Sequence, residues 1–179
     1  ITQAGEGDYQ PSVESGIKDD IKLVVASAEA SSFQSGSGLD KSIDNDKSTI
    51  YHSNWTNTAS NYFPITLTYN LREVSDLDYL IYYPRTSGSN GHFKEVEIQV
   101  RKNGQNTYEK LLDYDFKGSG SATRIGFGQP VKGIASIRFI VKSGAGDGQG
   151  FAACAEMEFY RRNPDNFDPS VLFTDASCS

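Results

Sequence analysis

The stretch Tyr82-Tyr83-Pro84-Arg85-Thr86-Ser87-Gly88-Ser89-Asn90-Gly91-His92-Phe93 puts one arginine and one asparagine in a loop between two apolar runs. A guanidinium offers a planar fork of donors, and an amide offers donors and acceptors together. That pair suits a neutral ligand rich in hydroxyls, and a sugar is the natural candidate. Sugar binding also needs an aromatic surface against the apolar C–H face of the ring. Phe151 follows Gly148-Gln149-Gly150 and is expected at the exposed tip of a Gly-rich loop, which makes it the preferred stacking platform. Trp55 and Phe63 either flank the same site or belong to the core. A second constellation, residues 39–55, is dense in oxygen-bearing side chains. Asp44, Asp46 and Thr49 lie close enough in sequence to wrap a hard cation such as calcium, which takes about six to eight oxygens. The competing reading is that both aspartates cap their own backbone turn. The spacing is not that of an EF-hand.

These residues need a rigid scaffold, and the rest of the chain reads as short strands. Residues 21–28 are apolar and β-prone, and a Ser- and Gly-rich loop at 31–38 follows them. Residues 64–71 alternate apolar and polar, 77–83 are more continuously apolar, and 93–101 alternate again. Pro84 cannot donate to a sheet ladder and ends its strand, while Asn90-Gly91 and Asn103-Gly104 are turn signals. Arg85 and Asn90 are therefore expected on the rim of a β-scaffold. Further strands are predicted over 108–116, 122–127, 134–141 and 151–160, and no stretch offers an amphipathic helix of three turns. Roughly eight strands joined by turns predict an all-β fold, an antiparallel sandwich or jelly roll. The polar residues 1–20 read as a leader or linker, 21–161 as one β-domain, and 162–179 as a tail leading towards an appended catalytic domain.

Composition narrows the function. With 179 residues and 37% hydrophobic content the chain is long and apolar enough for one sizeable core. A net charge of -6 with scattered Lys and Arg argues against nucleic acid as a partner. No apolar run is long enough to span a bilayer. The 2 His and 2 Cys have no zinc-ligand spacing, and Cys154 reads as a small buried hydrophobe.

Three patterns together resemble the family 32 carbohydrate-binding modules, which share the discoidin or coagulation-factor type C fold. Ile43-Asp44-Asn45-Asp46-Lys47-Ser48-Thr49-Ile50-Tyr51-His52-Ser53 is similar to the family's acidic loop. Tyr82-Tyr83-Pro84-Arg85 followed by Asn90-Gly91 resembles its aromatic-x-Pro-Arg to Asn-Gly segment. Ala155-Glu156-Met157-Glu158-Phe159-Tyr160 resembles its last strand. The resemblance implies an eight-stranded jelly roll, a structural calcium and a shallow sugar site at one rim. It implies that the Lys41 and Ala155 carbonyls and Glu156 complete the calcium shell begun by Asp44, Asp46 and Thr49. It also implies that His52 contacts an axial hydroxyl beside Arg85 and Asn90, which favours galactose or N-acetylgalactosamine. Asn45 stands where the family pattern commonly has Gly, and Asn tolerates a left-handed conformation. A secreted bacterial, extracellular setting and a monomeric module acting on host or mucin-type glycans follow from the same resemblance.

Two other function classes compete. A glycosidase would need paired carboxylates, and Asp113, Asp115, Glu95, Glu97 and Glu158 supply acids, but on alternating strand positions typical of solvated faces. A protein- or lipid-binding adhesion domain of the same fold would, for lipid, need basic residues around apolar loop spikes, and this acidic chain lacks such a cluster.

Overall fold

The structure is a computed structural model that describes residues 19–56 and 63–163. Most of the predicted leader and tail, residues 1–18 and 164–179, lie outside the described residues. The main compact unit, Lys22–Tyr160, is all-β apart from one 3-10 turn, Leu39–Ser42. A second unit contributes residues 19–21 and 161–163, within which the Asn163 N–H donates to the Asp20 carboxylate at 3.2 Å.

The strands in chain order are β1 (Ile21–Lys22), β2 (Val25–Ala30), β3 (Tyr51–His52), β4 (Ile65–Tyr83), β5 (Glu95–Lys102), β6 (Glu109–Asp115), β7 (Thr123–Val141), β8 (Ala153–Cys154) and β9 (Glu156–Arg161). The large sheet runs β1-β9-β4-β7-β5-β6 with β2 also on β4, and β3 pairs with β8 in a separate short ladder. Every ladder between named strands with a recorded register is antiparallel.

Two pairs of predicted strands prove to be single long ones. Residues 65–71 and 77–83 fall within β4, and 123–127 and 134–141 fall within β7, so that only Pro64 and Ala122 of these predicted strands lie just outside. The sequence breaks between them are register shifts of the β4–β7 ladder, not chain reversals. In β4 the core-facing residues are odd-numbered through Leu77 and even-numbered at Leu80 and Tyr82, because a bulge between Leu77 and Tyr79 flips the two-residue period. The exposed middle of β4, Arg72 to Val74, separates two buried stretches that share one core cluster, so the sheet closes on itself as a sandwich.

That core is aromatic at the end where Arg85 emerges. Tyr82 stacks on Phe93 at 4.1 Å, and Phe116 meets both edge-on. The Tyr82 hydroxyl donates to the Ala153 carbonyl at 2.9 Å and accepts from the Phe93 N–H at 3.2 Å, so a buried polar group is satisfied on both sides. Tyr83 points the other way and is only partly buried, as strand alternation requires. Cys154 lies in the β3–β8 ladder opposite Tyr51, is wholly buried, and has its thiol pKa pushed well up by burial.

Candidate functional site

Arg85 leaves the sheet directly after Pro84, the first residue beyond β4. Its loop is held from within: Arg85 Nη1 donates to the Asn90 carbonyl (3.4 Å), Nη2 donates to Ser87 Oγ (3.2 Å), and buried His92 Nε2 bonds the Arg85 carbonyl (3.0 Å). Arg85 Nε is buried with no partner among the described residues. A buried guanidinium N–H without an acceptor is costly. Gly91 (φ 96°) closes the loop, and a Cβ there would lie 2.5 Å from Ala153 Cβ, so both the left-handed backbone and the close approach demand glycine.

Ile50, His52, Trp55, Arg85, Asn90 and Phe151 line one cleft of about 270 Å³. Five of the six predicted sugar-binding residues thus converge, although they come from three separate parts of the chain. Phe63 packs, partly buried, against the core and is not among the lining residues. Phe151 is partly buried at the base of the 144–150 loop, where its N–H bonds the Ala145 carbonyl at 3.1 Å. Its ring lies against Gly146, where a Cβ would approach the ring to 2.6 Å and Asn90 Oδ1 to 3.2 Å. The expected exposed tip is therefore a packed wall. The exposed aromatic of the cleft is Trp55, 48% accessible, which meets the His52 ring edge-on at 4.8 Å.

His52 is 4% exposed, and its Nδ1 donates to the Ser53 carbonyl at 2.7 Å. That bond fixes the tautomer and leaves Nε2 as the acceptor of the neutral ring. Burial, together with the nearby Arg85 charge, lowers the His52 pKa despite the opposing Ser53 bond, so the ring is neutral at pH 7. The cleft combines an acceptor nitrogen, an amide, a guanidinium and two aromatic walls. Sequence reasoning missed Ile50, a lining residue with no chemical signature, and the supporting Ser87 and His92.

The acidic run forms a second, tighter arrangement. Asn45 adopts φ 62°, the left-handed conformation expected of a Gly replacement. The Asp46 N–H bonds Asp44 Oδ1, and Ser48 donates to Asp46 Oδ1 through both N–H and hydroxyl, which lowers the Asp46 pKa. Both aspartates thus do cap the turn, the simpler of the two readings of these residues. The Thr49 hydroxyl lies 2.5 Å from Asp44 Oδ2, 3.0 Å from the Asp46 carbonyl and 3.5 Å from the Lys41 carbonyl. A hydroxyl has one proton, so it serves one of these three acceptors well. Glu156 is 1% exposed at the start of β9; its Oε2 accepts from the Asn45 N–H at 3.1 Å, while Oε1 has no partner. Burial pushes its pKa up to about 7 against the Asn45 bond and the Lys22 charge. Among the described residues no three His, Cys, Asp or Glu side chains form a metal-ligand group. The clustered oxygens here are mainly carbonyl and hydroxyl, and with an orphaned carboxylate oxygen this donor set fits a hard cation.

The F5/8 type C domain pattern matches residues 27–157. The chain belongs to that family. Among solved structures, the family 32 carbohydrate-binding module of Clostridium perfringens NanJ, in complex with galactose, matches with a TM-score of 0.68 at 25% identity, over 79% of this chain and 100% of its own. The C. perfringens module CpGH89CBM32-5, in complex with GalNAc-β-1,3-galactose, has a TM-score of 0.65 at 23% identity, over 75% of this chain and 94% of its own. A C. perfringens ZmpB structure with two CBM32 domains and an M60 catalytic domain has a TM-score of 0.67 at 19% identity, over 88% of this chain and 16% of its own. The last two likenesses support the fold alone. The F5/8 type C chain thus shares its family pattern over residues 27–157 and its fold with carbohydrate-binding modules such as that of NanJ.

Proposed function

We propose that the chain is a carbohydrate-binding module for terminal galactose or N-acetylgalactosamine on glycans, acting extracellularly as a monomeric module. The convergence of His52, Trp55, Arg85, Asn90 and Phe151 on one cleft carries this reading. Arg85 donates to a hydroxyl pair, Asn90 reads a neighbouring hydroxyl, Trp55 and Phe151 meet the C–H face, and His52 Nε2 accepts from an axial hydroxyl. Galactose in the NanJ module supports the choice of configuration. The Lys41 and Ala155 carbonyls, Asp44, Asp46, Thr49 and Glu156 would hold a structural calcium, which would tie the acidic loop to β9. The net charge of -6 argues against nucleic acid as a partner, and among the described residues no helix is long and apolar enough to cross a membrane.

The test is calorimetry of the parent and Arg85→Ala against galactose, N-acetylgalactosamine and glucose, with circular dichroism as the fold control. Arg85→Ala should abolish measurable binding with an unchanged spectrum. Undiminished galactose binding by a folded Arg85→Ala variant overturns the assignment of the cleft.

A further inference from the structure

The loop 31–38 lies beside the cleft and carries one bulky apolar side chain among serines, glycines and a glutamine. That side chain, Phe33, is 51% exposed, which makes it, with Val24, Trp55 and Val74, one of the large apolar groups open to solvent among the described residues. Phe33 and Trp55 belong to directly bonded segments. The Gln34 N–H donates to the His52 carbonyl (2.9 Å), the His52 N–H to the Ser37 carbonyl (3.0 Å), and the Trp55 N–H to Gln34 Oε1 (2.9 Å). The Tyr51 hydroxyl donates to the Ser32 carbonyl (2.7 Å), and the Asn54 N–H to Ser32 Oγ (3.1 Å). Loop 31–38 is thus fixed onto the segment that carries His52 and Trp55, and both of its serine-rich flanks are polar.

An aromatic ring held open by a bonded loop gains nothing for the core. A lipid-seeking spike needs cations around it, and residues 31–38 contain none. An exposed ring carried on a bonded loop, with serines and a glutamine as its neighbours in sequence, has the chemistry of sugar stacking, and the fixed loop reduces the cost of binding. We propose that Phe33 is the platform of a second sugar subsite, so that the module reads at least a disaccharide, with the terminal galacto-configured sugar in the cleft and the sugar it is attached to over Phe33. This inference rests on the reading of the cleft given above and extends it.

The experiment compares the parent, Phe33→Ala and Phe33→Trp by calorimetry. The ligands are galactose, N-acetylgalactosamine, lactose, N-acetyllactosamine, and galactose linked β-1,3 to N-acetylgalactosamine. At least one disaccharide should bind the parent more tightly than its terminal monosaccharide does. Phe33→Ala should remove that gain, a roughly two- to tenfold loss for one aromatic contact, and leave monosaccharide affinity unchanged. Phe33→Trp should retain the gain. The inference is overturned if no disaccharide outperforms its monosaccharide, if Phe33→Ala keeps the gain, or if it weakens both ligands alike. If the parent binds none of these sugars, the cleft reading falls as well; normal monosaccharide binding with no disaccharide gain removes the second subsite alone.

Discussion

The acidic loop 41–49 and the arginine loop 85–92 are both polar turns beside strand ends, yet their internal bonding has opposite sign. In the first, acceptors outnumber donors: one threonine hydroxyl faces the Asp44 carboxylate and two carbonyls, and Glu156 Oε1 is unpaired. In the second, a guanidinium spends two nitrogens on the Asn90 carbonyl and Ser87, and keeps a third, Nε, without an acceptor. A loop short of donors would be completed by a cation, whereas a loop built around a guanidinium would present it to a ligand's oxygens. The two loops should therefore separate stability from recognition.

The largest effect expected is on recognition. Arg85→Ala should lower galactose affinity by at least about tenfold, because a hydrogen bond from a charged donor is worth roughly 1.5–3 kcal/mol. It should leave the melting temperature within a few degrees of the parent, as seen by thermal circular dichroism. A chelator should do the reverse. Calcium at a hundredfold excess over Kd adds about 2.7 kcal/mol, and its removal should lower the melting temperature by roughly 5–10 °C while sugar affinity holds. A melting curve indifferent to chelator breaks the comparison on the acidic side.

The pH response sharpens it. Glu156 has its folded pKa raised to about 7, above the ordinary 4.5. In chelator its contribution favours folding below pH 4.5 and is lost as pH rises through 7, so the melting temperature should fall between pH 5.5 and 8. Excess calcium should remove or reverse that slope, since ligation requires the carboxylate. Equal slopes with and without calcium would separate Glu156 from the metal. In the cleft, the lowered His52 pKa means that galactose affinity should be flat from pH 7 to 8 and fall only on acidification below the ordinary imidazole range, when Nε2 turns from acceptor to donor. His52→Ala should weaken galactose more than glucose, by about 0.5–1.5 kcal/mol, and abolish the acid limb. The smallest effect belongs to Asn45→Gly, which keeps the left-handed backbone and should shift stability by less than about 0.5 kcal/mol.

Much of this pairing was legible in residue types. Pro84 and Asn90-Gly91 marked the loop, since proline cannot join a ladder and Gly91 needs its positive φ. Asn45 was readable as a left-handed residue for the same reason of backbone chemistry. Strand continuity was not legible. Residues 72–76 separate two predicted strands, yet Arg72 and Glu73 are the exposed middle of β4, because local polarity does not distinguish a chain break from a solvent-facing bend in a continuous ladder. Aromatic roles were also hidden: Phe151 follows a Gly-rich run but packs on Gly146, while Trp55, equally suited to a core, is half exposed. Those outcomes depend on contacts far apart in sequence.

Cys154 offers an observer inside the recognition end. It lies opposite Tyr51, one residue along the ladder from the His52–Ala153 pair, and its thiol is wholly buried, so that it would reach solvent when β3 and β8 part. With Cys178 replaced by serine, the rate of alkylation then measures how often that short ladder opens. Ladders of a few residues open far more readily than whole domains unfold, so labelling by local opening would outpace global unfolding. Saturating sugar should slow it, turning a buried, unreactive sulfur into a clock for the motions that the ligand suppresses.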